Sequence, residues 1–110
     1  MVWRECGGRP IAKRVDPMDK STTYKIAVLP GDGIGPEVMA EALKVLRAVS
    51  LKYDIKIVLE DAEVGGVAID RHHTALPSST LKLCASSDAV LLGSIGGPKW
   101  EFLPPSRLRE

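Results

Sequence analysis

From Lys25 to Glu37 the chain reads Lys-Ile-Ala-Val-Leu-Pro-Gly-Asp-Gly-Ile-Gly-Pro-Glu. This stretch restricts the fold more than any other. Lys25–Leu29 is a short apolar run, too short for a helix, and it is ended by Pro30 and Gly31. Such a run suits a strand buried on both faces, as in a parallel sheet. Glycines then stand at every second position, Gly31, Gly33 and Gly35, followed by Pro36. Proline fits the first position of a helix, where its missing N–H costs nothing. Glu37 and Glu41 fall in the first turns and Arg47 in the last, matching the helix dipole. Val38, Ala42, Val45 and Val49 recur at helical spacing, and Met39, Leu43 and Leu46 widen the stripe. The pattern predicts a strand over 25–29, a glycine-rich turn, and a helix over 36–49.

The remainder continues the alternation. Asp54–Glu60 places Ile55, Ile57 and Leu59 on one face, which predicts a second strand. Residues 61–76 read as irregular, with Gly65-Gly66 as a turn. Pro77–Ala85 reads as a short helix, and Asp88–Gly93 as a third buried strand. Ser94–Glu110 holds Gly96, Gly97, Pro98, Pro104 and Pro105 and reads as a loop. The order β-α-β-α-β predicts an α/β fold with mostly parallel strands and right-handed crossovers. Three strands leave an open edge, so the sheet reads as incomplete. Residues 24–110 form the structured part. Residues 1–23 read as a leader or disordered extension, basic at Arg4, Arg9, Lys13 and Arg14 but without serine in the first 20 residues. A transit remnant is the alternative, which would place the protein in a plastid or other organelle rather than the cytoplasm.

The 110 residues allow one domain at most. A net charge of +1 lacks the basic excess of a nucleic-acid binder, so none is expected as a partner. No apolar run approaches the roughly 20 residues of a membrane span. The two cysteines, Cys6 and Cys84, make neither a disulfide framework nor a metal knuckle.

Two segments are candidates for chemistry. The Gly31–Pro36 turn lies between a strand and a helix N-terminus, where backbone N–H groups favour an anion or a cofactor edge. Its spacing is Gly-x-Gly-x-Gly-Pro, not Gly-x-Gly-x-x-Gly, and no Lys-Ser or Lys-Thr follows. A tight structural turn and a ligand-contacting turn both remain open. The second segment, Gly96-Gly97-Pro98-Lys99-Trp100, follows the third strand. Both loops fall at strand carboxyl ends, the edge at which open α/β sheets bind ligands. The alternative for the second loop is a surface segment with Trp100 packed on its own domain. His72-His73 reads as a solvated pair, Asp61, Glu63 and Asp70 as surface charge, and Cys84 as a core thiol.

These residues resemble the isocitrate/isopropylmalate dehydrogenase family. The match is carried by Leu29–Val38, by Gly65-Gly66-Val67-Ala68-Ile69-Asp70, by Leu76-Pro77 with Thr80, and by Ser87–Glu101. Gly-Gly-Pro-Lys-Trp at 96–100 resembles the isopropylmalate branch. The resemblance implies a fold unlike the Rossmann fold, a homodimer with sites built from both subunits, and NAD with Mg²⁺ or Mn²⁺ as cofactors. It implies oxidative decarboxylation of 3-isopropylmalate in leucine biosynthesis. Ile34 is the side chain it carries over as an NAD contact, and Gly97, Pro98, Lys99 and Trp100 belong to the region bordering the cofactor. The chain departs from the family at His73, where glycine is usual and a left-handed backbone is expected, and at Ala75, where proline is usual. The family's substrate-clamping arginines, its Tyr and Lys acid/base pair and its metal-binding aspartates have no counterpart here. No catalytic or metal residue is therefore expected in this chain, which reads as an inactive N-terminal fragment. The alternatives are a short non-catalytic isoform that binds a full-length subunit, and a free-standing nucleotide-binding module.

Overall fold

The computed structural model describes residues 22–102. Most of the leader segment and residues 103–110 lie outside the described residues. The elements run β1 (Thr23–Gly31), α1 (Gly35–Tyr53), β2 (Lys56–Asp61), α2 (Gly66–His72), α3 (Ser78–Ser86) and β3 (Ala89–Ser94), followed by a single 3-10 turn, Pro98–Trp100. The sheet has the order β2-β1-β3, with both pairings parallel. The expected α/β alternation with parallel strands is therefore observed, with one more helix between β2 and β3 than the sequence predicts.

β1 is central because its side chains are apolar on both faces. Ala27, Val28 and Leu29 are buried, with Met39, Val64, Ala68 and Ile69 completing the core. Burying a methionine such as Met39 stabilises by roughly 2 kcal/mol. In register, Thr23 lies beside Lys56 and Val28 beside Asp61; on the other side Ile26 lies beside Ala89 and Leu29 beside Leu92.

Four expectations are corrected. First, α1 runs past residue 49 to Tyr53, because its stop signal is Asp54, which adopts the left-handed conformation at φ 55° and donates its N–H to the carbonyl of Ser50. β2 accordingly starts at Lys56 rather than Asp54. Second, the stretch 61–76 contains helix α2, where a loop is expected. Third, β3 is not a fully buried strand. It is an edge of the sheet among the described residues, and Val90 and Leu92 remain 47% and 53% exposed. Fourth, the α1 stripe is wider than the sheet beneath it. Met39 is buried, whereas Val38, Val45 and Val49 stay exposed. An apolar groove of about 280 Å³ runs between Val45 and Val49 of α1 and Ala89 and Leu91 of β3.

Candidate functional site

The site is built on the carboxyl ends of β1 and β3. After β1 the chain crosses to β2 on one side, and after β2 it returns to β3 on the other. This reversal is a switch point, where parallel sheets commonly leave a ligand crevice. Here the crevice is closed by the chain itself. Gly31, at φ 74°, packs so tightly on the Ser94 carbonyl that a Cβ would collide with it. The Asp32 N–H donates to that carbonyl at 2.7 Å, and the Asp32 carbonyl accepts from the Gly35 N–H at 2.8 Å.

The Asp32 side chain turns inward and is 1% exposed. Its Oδ2 accepts from the Gly66 N–H at 2.7 Å and the Gly96 N–H at 3.0 Å, and its Oδ1 accepts from the Val67 N–H at 2.8 Å. Gly65, at φ 78°, closes over this carboxylate, where a Cβ would meet Oδ2 and Ile95. The first N–H groups of α2 are thereby satisfied by a side chain remote in sequence.

The loops left outside form a rim. Gly33 stands next to the Gly96 carbonyl, Ile34 is 61% exposed, and Ile95 is 54% exposed. Gly96 has φ 103° and open space where a Cβ would be. A bare backbone beside exposed apolar side chains lets a flat or extended ligand approach closely. The structure thus brings together the two segments singled out by sequence, the Gly31–Gly35 turn and the Gly96–Gly97 loop. A separate cleft of about 390 Å³ opens at the ends of β1 and β2, lined by Pro30, Gly31, Pro36, Val64 and Val67 with Asp61 and Glu63 at its border.

Lys99 and Trp100 are both tied to Asp70. The Lys99 Nζ donates to Asp70 Oδ2 at 2.5 Å, and the Trp100 Nε1 reaches Asp70 Oδ1 at 3.4 Å. The Lys99 ammonium also lies 5.4 Å from the Trp100 ring centre. The indole lies against Gly66 and Gly97, at distances that leave no room for a Cβ on Gly66. The hydrogen bond from Lys99 is the chief cause holding the Asp70 carboxyl below its ordinary range; Trp100 and the Lys99 charge add to it, and desolvation works against it. Asp70 is therefore the anchor of the loop rather than free surface charge.

Glu63 likewise has partners, the Arg71 guanidinium and the His72 Nε2, the latter at 2.9 Å. His72 ends α2 rather than lying in a loop, and His73 caps that helix in the left-handed conformation at φ 60°. Cys84 is a free, partly buried thiol on α3. Among the described residues no cluster of three His, Cys, Asp or Glu side chains could hold a metal ion.

The model of the isocitrate/isopropylmalate dehydrogenase family matches residues 25–109. The chain belongs to this family. Similar proteins include the 3-isopropylmalate dehydrogenase of Vibrio cholerae, 62% identical over 87 residues, which cover 79% of this chain and 24% of that protein. That of Desulfotalea psychrophila is 64% identical over 86 residues, covering 78% of this chain and 24% of that protein. The chain thus spans about a quarter of the length of these relatives. Among solved structures, the β-decarboxylating dehydrogenase of Thermococcus kodakarensis is 37% identical, with a TM-score of 0.59 over 69% of this chain and 22% of that one. The isocitrate dehydrogenase of Methylococcus capsulatus is 29% identical, with a TM-score of 0.61 over 69% of this chain and 21% of that one. The family members to which the chain is similar are dehydrogenases. No helix among the described residues is long and apolar enough to cross a membrane.

Proposed function

We propose that the chain is an N-terminal portion of an NAD-dependent 3-isopropylmalate dehydrogenase, and that it supplies one border of the NAD site. The observation that carries this reading is the rim at the β1 and β3 carboxyl ends, where Gly33, next in the chain to exposed Ile34, stands beside the Gly96 carbonyl. Ile34 offers an apolar contact to the cofactor, and Gly97 and Pro98 continue the same border. Lys99 and Trp100 hold that border to α2 through Asp70. Bound NAD would accept the hydride from the 2-hydroxy carbon of the substrate. The rim's task is to place the cofactor and keep water from one of its faces. Mg²⁺ or Mn²⁺, the substrate 3-isopropylmalate, the homodimer and the step in leucine biosynthesis belong to the same proposal, as the family resemblance implies, and their residues are sought in the rest of such an enzyme. The 110 residues alone are expected to give no turnover.

The test is a chimera in which residues 22–102 replace the matching segment of the Vibrio cholerae enzyme. The chimera should oxidise 3-isopropylmalate with NAD. Ile34→Asp in it should raise the KM for NAD about tenfold or more, with little change in the KM for 3-isopropylmalate, because a carboxylate replaces the apolar contact that Ile34 offers the cofactor. An unchanged KM for NAD would remove Ile34 from the cofactor border.

A further inference from the structure

We propose that Asp32 is the positioning residue of this rim: its buried carboxylate gathers three main-chain N–H groups and so determines where Gly33–Ile34 and Ile95–Gly96 stand. The proposal deepens the reading of the rim as the NAD border and rests on it for the identity of the ligand. The positioning itself rests on geometry alone.

Hydrogen bonds converge on Asp32 from three stretches of chain. Its own backbone ties the β1 end to Ser94 and to Gly35. Its carboxylate ties the start of α2, at Gly66 and Val67, and the loop after β3, at Gly96. These donors lie 34, 35 and 64 residues away in sequence. Each is a main-chain N–H, so each bond fixes a backbone position rather than a side-chain rotamer. A buried carboxylate taken from water must be matched by donors, and three N–H dipoles meet that need here. The residue type follows from the count. One oxygen takes two donors and the other takes one. Asparagine can serve at most one of these two positions, because its NH₂ would face an N–H at the other. Glutamate would add a methylene to a site that is 1% exposed. Asp32 does not touch the ligand in this arrangement. It acts through Gly33, Ile34 and Gly96, whose bare backbones and exposed side chain form the contact surface.

The experiment is amide hydrogen exchange on the 110-residue chain and on Asp32→Asn, read residue by residue. Asp32→Asn should speed exchange at Gly66, Val67 or Gly96 by about tenfold or more, the scale of a lost charge-assisted hydrogen bond. The β1–β2 ladder at Ile26–Val28 should change less than about twofold. A merely structural role predicts equal loss at the ladder and at these amides, and that result would overturn the proposal. So would unchanged exchange at all three. If Asp32→Asn does not fold, Gly65→Ala crowds the same carboxylate from outside and is read in the same way. Asp32→Asn is then placed in the Vibrio cholerae chimera, where a rise of at least fivefold in the KM for NAD with little change in the KM for 3-isopropylmalate supports both readings. An unchanged KM for NAD sinks the NAD reading of the rim, while the exchange result still decides the positioning role.

Discussion

Gly66→Ala separates local preference from tertiary packing. Gly66 opens α2, and alanine is favoured over glycine in a helix by up to about 1 kcal/mol. On that ground alone the variant should be more stable. The Trp100 ring, however, occupies the space a Cβ would need, so the ring must leave. A tryptophan buries 150–250 Å² when packed, and re-exposing roughly 100 Å² of it costs about 2.5 kcal/mol. The net loss is about 1.5 kcal/mol, which for a domain of this size lowers the melting temperature by about 6–12 °C. Trp3 and Trp100 are the two tryptophans, so Trp3→Phe leaves Trp100 as the reporter. In that background Gly66→Ala should shift the Trp100 emission to the red and lower the melting temperature together. A variant that melts at or above its parent, with unchanged emission, would refute the packing of Trp100 on α2.

Gly31→Ala should be more damaging, since it meets both a left-handed backbone at φ 74° and the Ser94 carbonyl. A loss of at least about 2 kcal/mol is expected in urea unfolding; an unchanged midpoint would contradict the close approach of β1 to β3. The Lys99–Asp70 clasp should also show in pH. The folded pKa of Asp70 lies below its unfolded value, so the stabilisation is whole above the unfolded value and is lost as pH falls through the folded one. The Trp100 indole N–H signal should therefore hold steady near neutrality and move only on the acid side of about pH 4. Lys99→Ala should bring that movement to higher pH; a titration unaffected by Lys99→Ala would show that another group holds Asp70.

Much of this fold is legible in a single pass along the sequence. β1, α1, α3 and β3 are marked by local signals, namely apolar runs, a proline at a helix start and a periodic stripe. α2 is not, and the reason is physical. It is seven residues long, begins at a Gly-Gly pair, and has its first N–H groups satisfied by Asp32, a residue 34 positions earlier. Nothing local signals that helix. Asp32 itself reads as one more turn residue among glycines, and its importance is visible only once three distant backbones are seen to meet on it. The left-handed His73 is legible, because the family places glycine there. The commitment of Lys99 and Trp100 to Asp70 is not, because it needs α2 first.

All the strand pairing among the described residues passes through β1, the first of the described strands to leave the ribosome. Its partner β2 ends at Asp61, but its other partner, β3, ends at Ser94, 33 residues later. At a synthesis rate of 5–20 residues per second, β1 waits roughly 2–7 s with one edge unpaired. During that interval its exposed backbone is a template for any neighbouring strand, including another nascent copy. Val28, on the central strand of the described sheet, is made early among the paired residues, and its second neighbour, Leu91, late.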